Sequence, residues 1–281
     1  MSLLLPAAGR SEASASPRAR RIAWPSTAIW PGAALRPPTG VRLWRVDLSS
    51  PVTDAERALL SESERARACR FVHVADRRRH EAARAALRQL LAAECGCRPE
   101  QLAIATGWAG KPHLESAGAD SPQGSFNLSH SGEIALVVWD PAGSDWGVDV
   151  EHRRPVEDRE AVAEQVFTEA ERAELSQAVE QGLDRDRAFL RVWTRKEACL
   201  KALGTGFSLE PAVFAAGLGP ASVEVRLSIP QALQPQIGAV AVLRVFDLDA
   251  GDDAVAAAAI RLDRTSARGP ARPTVGASGE L

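Results

Sequence analysis

Residues 184–204, DRDRAFLRVWTRKEACLKALG, read as one long helix closed by a glycine, and together with the strands beyond Gly204 this helix decides the fold. Asp184 opens the run, and Gly204 supplies the residue that helix C-termini favour. Three β-rich segments then come in succession, 223–228, 240–248 and 255–262, separated by Gly, Pro and Asp. The last, an alanine run, has the weakest strand character. Upstream the same plan recurs. Residues 41–48 alternate like a strand. A helix is predicted over 53–68, with Thr53 as cap and Glu56 completing a capping box. A long Arg/Ala/Leu helix runs over 76–94, and strands are predicted over 102–106, 125–129, 134–139 and 146–150. Thr168 opens a further helix to about residue 179. Helices precede groups of strands instead of alternating with them, so the fold class is α+β, not a doubly wound parallel sheet. A distant duplication of one α+β unit suits this order.

The ends differ in composition. Residues 1–40 are rich in Ala, Pro, Ser and Arg and show no sustained period. Ordering them would cost about 1–2 kcal/mol per residue with little apolar surface to offset it, so a disordered N-terminal extension is expected. The division is then 1–40 extension, 41–140 N-terminal half, 141–266 C-terminal half and 267–281 disordered tail.

The 281 residues carry a net charge of −2, which gives no overall footprint of a nucleic-acid binder. An Arg-rich helix at 77–88 alone does not make one. No apolar run approaches the roughly 20 residues that span a bilayer. Four cysteines with irregular spacing read as reduced thiols of a cytoplasmic protein. Of 34 basic residues only Lys111, Lys196 and Lys201 are lysine, leaving 31 arginines. Lysines that survive such a bias mark sites that want a compact ammonium rather than a planar fork.

Four segments can carry chemistry. In WGVDVE, residues 146–151, strand alternation puts Asp149 and Glu151 on one face. Two such charges at ~4 Å cost roughly 1 kcal/mol in water and about 4 at an effective dielectric of 20, a cost that a bound cation reverses. A solvated strand end is the plainer reading. In WTRKEACLK, residues 193–201, Trp193, Glu197 and Lys201 share one helical face. By itself the Glu197–Lys201 spacing is that of a common surface ion pair. FNLSHSG, residues 126–132, offers a hydroxyl and an imidazole, Ser129 and His130, near a strand end. It lacks the elbow of a serine hydrolase. GKPHL, residues 110–114, holds Lys111 in a turn.

Taken in order, GKP, FNLSHSG, GVDVE, FTEAE (167–171) and WTRKEACLKALGTGFSL (193–209) resemble the Sfp-type 4′-phosphopantetheinyl transferase family, over about residues 67–209. That resemblance implies two similar α+β halves in a pseudo-two-fold arrangement, monomeric, with coenzyme A in the cleft between them. It implies transfer of the phosphopantetheine arm of coenzyme A to a serine of apo acyl or peptidyl carrier proteins, of the holo-[acyl-carrier-protein] synthase type, releasing 3′,5′-ADP. Carried over by motif, Asp149, Glu151 and Glu197 hold Mg²⁺, and Lys201 reaches the pyrophosphate. Ser129 and His130 match the coenzyme-binding pair, with His130 also counted as catalytic, and Lys111 matches a lysine near the nucleotide. Arg79 is the best match for an arginine on the 3′-phosphate, in a register shared with Arg77, Arg78 and His80. Arg67 and Arg70 are further candidates. Glu171 matches a glutamate that deprotonates the carrier serine; a metal-bound hydroxide is the alternative. The role of Lys196 stays open. The family resemblance also points to polyketide or nonribosomal peptide carriers, with neither nucleic acid nor membrane as partner. A catalytically silent relative that binds coenzyme A or a carrier is the second reading.

Overall fold

Two four-stranded antiparallel sheets stand back to back between two long helices. The computed structural model describes residues 16–23, 40–115 and 124–263. In chain order the elements are β1 (Ala19–Arg21), β2 (Arg42–Asp47), α1 (Asp54–Ala58), α2 (Glu62–Ala68), α3 (Val74–Cys95), β3 (Ile104–Thr106), β4 (Pro112–Leu114), β5 (Ser125–Ser131), β6 (Ile134–Asp140) and β7 (Trp146–His152). The chain continues through α4 (Arg159–Val166), α5 (Glu169–Glu180), α6 (Arg185–Leu203), β8 (Ser222–Ser228), α7 (Gln234–Ile237), β9 (Val240–Leu248) and β10 (Ala254–Arg261).

The sheets are ordered β1-β2-β6-β5 and β7-β10-β9-β8. Each contains the same wiring: a first strand, a long helix, and a hairpin whose last strand pairs with the first. In one sheet this is β2, α3 and β5–β6; in the other it is β7, α6 and β9–β10. Alternation along the strands builds the layers. Leu43, Leu136 and Val138 of the first sheet pack against Val148, Val150 and Ala258 of the second. Val46, Val137 and Trp139 face the other way, onto Ala83, Leu87 and Leu90 of α3. Ala257 and Ala259 meet Ala198 and Ala202 of α6, which explains the alanine run: small side chains let the helix lie close.

Two expectations need correction. Residues 16–23, assigned from composition to the disordered extension, are placed against the first sheet, and Ala19–Arg21 of them form an edge strand, with Ala19 opposite Val46. Arg18 secures it by a bidentate pair with Glu56, at 2.5 and 2.9 Å, and by donating to the carbonyls of Ser50 and Pro51. A composition argument misses one well-placed arginine. The rest of the extension and the tail from 267 lie outside the described residues. The single helix expected over 53–68 is two, because Ser61 and Glu64 make a second capping box that restarts the chain direction. Among the described residues no helix is long and apolar enough to cross a membrane.

Candidate active site

The two sheets meet edge to edge where β5 runs beside β7. Asn127, Ser129 and Ser131 project from one side of β5 toward β7, in place of a backbone ladder. Asn127 Oδ1 accepts from the Val148 N–H at 2.9 Å, and Ser129 Oγ from the Val150 N–H at 3.4 Å. Ser129 donates to Asp149 at 2.8 Å and Ser131 donates to Glu151 at 2.7 Å. Polar side chains thus satisfy an edge strand that would otherwise bury unpaired donors.

Helix α6 covers the other side of Asp149 and Glu151. It can do so because residue 147 is glycine: a Cβ there would stand 2.1 Å from the Ala198 carbonyl oxygen and 2.4 Å from the Ala202 nitrogen. The close approach brings Trp193, Glu197 and Lys201, one helical face, onto β7. Lys201 Nζ donates to Asp149 Oδ1 at 2.5 Å and to Ser129 Oγ at 3.0 Å. The Trp193 indole donates to Glu151. Burial raises the Glu151 carboxyl above its ordinary value, with Ser131 and Trp193 opposing and Asp149 adding to the rise. Glu197 is pushed up to about 7, first by burial and then by the charges of Asp149 and Glu151, against the pull of Lys201.

Three carboxylates therefore crowd one seam with a single ammonium among them. Among the described residues no three acidic, His or Cys side chains already converge closely enough to hold a metal ion. The donor set nonetheless fits a hard cation: Asp149 Oδ2 is buried without a hydrogen-bond partner, and Glu197 makes no hydrogen bond among the described residues.

A family profile described as 4′-phosphopantetheinyl transferase superfamily matches residues 145–235, and one described as 4′-phosphopantetheinyl transferase, N-terminal, matches residues 49–142. The chain is 37% identical to the 4′-phosphopantetheinyl transferase HetI of Nostoc sp. over 170 residues, 60% of this chain and 70% of that protein. The chain belongs to the 4′-phosphopantetheinyl transferase superfamily. It is also 32% identical over 163 residues to the L-aminoadipate-semialdehyde dehydrogenase-phosphopantetheinyl transferase of Schizosaccharomyces pombe, 54% of this chain and 62% of that protein. Similarity to the 4′-phosphopantetheinyl transferase Sfp of Bacillus subtilis is 23% over 218 residues, 75% of this chain and 89% of that protein.

In this member of the superfamily the remaining candidates are placed unequally. His130 lies on the opposite side of β5 from Ser129, because it follows the parity of Phe126 and Leu128, which pack toward α3. The residue is open to solvent on one side, yet enclosed enough that desolvation lowers its pKa; the Lys201 charge lowers it further, and Arg79 and Arg67 also contribute. Arg79 is held by Glu133 at 2.9 Å and by Asp76 at 3.0 Å, so it reaches the His130 region already oriented. Arg77 pairs with Glu81, Arg78 pairs with Glu133, and His80 is buried. Arg79 is thus the member of that register set, apart from the buried His80, that acts electrostatically on His130. The Lys111 ammonium donates to the carbonyls of Trp146, at 3.1 Å, and Ala202, at 2.9 Å. It ties the GKP turn to the start of β7 and the last turn of α6.

Glu171 is not brought to the seam chemistry as a free base. It is 1% exposed, and both oxygens are filled. Oε2 accepts from the N–H and hydroxyl of Thr168 and pairs with Lys196 at 2.8 Å. Oε1 accepts from the N–H groups of Ala216, at 2.8 Å, and Gly217, at 3.0 Å. A carboxylate whose two oxygens are both occupied and buried presents no open oxygen to a carrier serine. Lys196 completes the clamp by donating to the carbonyls of Pro211 and Phe214 at 2.8 and 2.5 Å. Beside it Arg195, fully buried, grips Asp247 and the carbonyls of Ala216, Gly217 and Pro220. The R and K of WTRKEA therefore secure the loop after α6, while its E and the later Lys201 face β7. Sequence reasoning missed Asn127, Gly147 and the indole of Trp193. The G of GVDVE and the N of FNLSHSG were the available signals.

Proposed function

We propose that this chain is an Sfp-type transferase that moves the 4′-phosphopantetheine arm of coenzyme A to a serine of an apo acyl or peptidyl carrier protein, releasing 3′,5′-ADP. The observation that carries the reading is the Lys201–Ser129–Asp149 cluster, with Glu151 and Glu197 gathered around it, in a member of this superfamily. Asp149, Glu151 and Glu197 would hold Mg²⁺, which when bound neutralises charge on the pyrophosphate. Phosphoryl transfer depends chiefly on positioning and charge stabilisation, and the residues on both sides of β5 offer both. Lys201 is within reach of phosphate oxygens once it turns from Asp149. Ser129 contributes a hydroxyl, His130 an imidazole, and Arg79 a braced guanidinium for the 3′-phosphate. The carrier serine oxygen bonds to the phosphorus next to the pantetheine arm, its proton passing to solvent water, and the bond to the departing 3′,5′-ADP oxygen breaks.

In this reading the two halves of identical wiring are pseudo-two-fold related, and coenzyme A lies where they meet. The protein acts as a cytoplasmic monomer on polyketide or nonribosomal peptide carriers, with neither nucleic acid nor membrane as partner. A silent relative would be expected to have lost a carboxylate of the seam, and none is missing. The test is to incubate the protein with coenzyme A, Mg²⁺ and several apo carriers, and to weigh the carriers by mass spectrometry. A carrier that gains the phosphopantetheine mass supports the proposal; no gain on any acyl or peptidyl carrier defeats it.

A further inference from the structure

Two serines of β5 are in step with two carboxylates of β7. Ser129 and Ser131 stand two residues apart, so their side chains leave the strand on one side, and Asp149 and Glu151 are related in the same way. Ser129 donates to Asp149 Oδ1 at 2.8 Å, and Ser131 donates to Glu151 Oε2 at 2.7 Å, with an offset of 20 residues in both pairs. The strands therefore run side by side in one direction, and each hydroxyl gives its proton to the carboxylate directly across from it. Ser129 is also drawn into the Lys201 cluster. Ser131 is bound to Glu151, and the proposed reaction gives it no part.

The Ser131–Glu151 contact is braced on both flanks. The chain turns into β6 immediately after Ser131, and that turn lies against the end of β7: a Cβ at Gly132 would stand 3.2 Å from the His152 Cβ. From the helix side the Trp193 indole also donates to Glu151. Trp193 is itself stacked on Phe189, with ring centroids 6.4 Å apart and planes 11° from parallel. A glutamate has three side-chain torsions, the last of them soft, and the like charge of Asp149 would turn its carboxylate away. One donor from the strand and one from the helix oppose that rotation. The matching aspartate is held through Oδ1, while its Oδ2 is buried without a hydrogen-bond partner.

We infer that Ser131 is a positioning residue, which holds the Glu151 carboxylate beside Asp149 so that the two face a divalent cation together. This role rests on the proposed metal site for the identity of its ligand, and it reaches a residue that touches neither substrate nor metal. Hydrogen bonds to the carboxylates lower the cost of keeping like charges adjacent before a cation arrives. Orienting a ligand in advance also spares binding the loss of its rotamer freedom.

The test uses the full chain with Mn²⁺ as the probe, because unbound Mn²⁺ is counted directly by its electron paramagnetic resonance signal. Mn²⁺ is titrated into the protein with coenzyme A present, and Mg²⁺ is then added as competitor. Ser131→Ala, Ser131→Val and Ser131→Thr are compared, and melting temperatures without metal confirm that each is folded. Valine and threonine have nearly one shape and only threonine keeps the hydroxyl, so this pair separates the hydrogen bond from packing. Ser131→Ala and Ser131→Val are expected to raise the Mn²⁺ Kd about tenfold, the lower end of what losing a hydrogen-bond partner of a metal ligand costs, with Ser131→Thr within about threefold of the unaltered chain. The metal concentration for half-maximal transfer should rise in the same order. Mn²⁺ affinity that Ser131→Ala leaves unmoved overturns the inference, as does an equal loss in the valine and threonine variants, which would make Ser131 a packing residue. An unaltered chain that binds no Mn²⁺ overturns it as well. Mn²⁺ binding that falls in the alanine and valine variants and returns in the threonine variant, in a chain that modifies no carrier, supports the positioning role and defeats the proposed transfer alone.

Discussion

Replacing Gly147 with alanine probes the contact on which the whole seam depends. The added Cβ would lie 2.1 Å from the Ala198 carbonyl oxygen, 2.4 Å from the Ala202 nitrogen and 2.9 Å from the Lys201 carbonyl carbon. Ordinary contacts begin about 1 Å further out. Ala198 and Ala202 are also the acceptor and donor of one i→i+4 helical bond, so the methyl would press into that bond. All three atoms are backbone and no rotamer change relieves them; either α6 lifts off β7 by about an ångström or the strand bends. Overpacking commonly costs ~1–3 kcal/mol, and the rigid neighbours place this change at the upper end. At roughly 2–4 °C per kcal/mol for a chain of this size, the melting temperature is expected to fall by about 6–12 °C. Function should suffer beyond stability. Lys201 meets Asp149 at 2.5 Å, and a displacement of ~1 Å at a reacting site can cost about a hundredfold in rate. Thermal melts and transfer assays at a temperature where the variant stays folded separate the two effects. A variant that melts within 1 °C of the unaltered protein, roughly the error of such a scan, and transfers at the same rate would refute the close-packing argument.

Other expectations rest on the same structure. Glu171→Gln should lose about 3–5 kcal/mol of stability, as expected when one partner of a buried ion pair is removed, with transfer in the still-folded fraction reduced far less; a stable protein with abolished turnover would restore Glu171 as a base. His80 has its pKa lowered to about 4, chiefly by burial and then by the Arg84 charge. Because the unfolded imidazole binds its proton more readily, His80 lowers stability as pH falls from ~6.5 toward 4, by at most about 3 kcal/mol. Denaturant melts across that range should show this slope, and it should shrink in His80→Phe. Arg18→Ala should free the edge strand, seen as faster hydrogen exchange at Ala19 and Asp47, while the remainder of the first sheet keeps its protection.

Much of this fold was legible because local chemistry and tertiary demand agree. Thr53 and Glu56 spelled a helix start and made one, and Gly204 closed α6 in the left-handed conformation at φ +69°. The strand over Val240–Leu248 matched the expected boundaries because turn residues bracket it. The α4 helix went unread because its apolar face is short: only Ala163 and Val166 are buried. The site was legible as a set of residue types, but not as a division of labour. FTEAE carries the same T-x-x-E cap as residues 53–56, so the buried, capping character of Glu171 was written in the sequence and was overridden by the family resemblance. Lys196 and Lys111 drew attention as rare lysines, and their ammonium groups do bind oxygen, but these oxygens include backbone carbonyls and, for Lys196, the structural carboxylate of Glu171. What no local pattern conveys is the distance between elements. The role of Gly147 exists only once α6 has been laid against β7.

If the carboxylates gathered around Lys201 carry the transfer, Glu197→Gln must suppress it. The substitution keeps the side chain's shape and removes only its charge. Coenzyme A affinity and the rate of phosphopantetheine transfer to an apo carrier would be measured on the same preparation. Transfer is expected to fall by at least about a hundredfold, some 3 kcal/mol of barrier, while coenzyme A binding weakens by less than tenfold. Transfer at the unaltered rate would contradict it and remove Glu197 from the site.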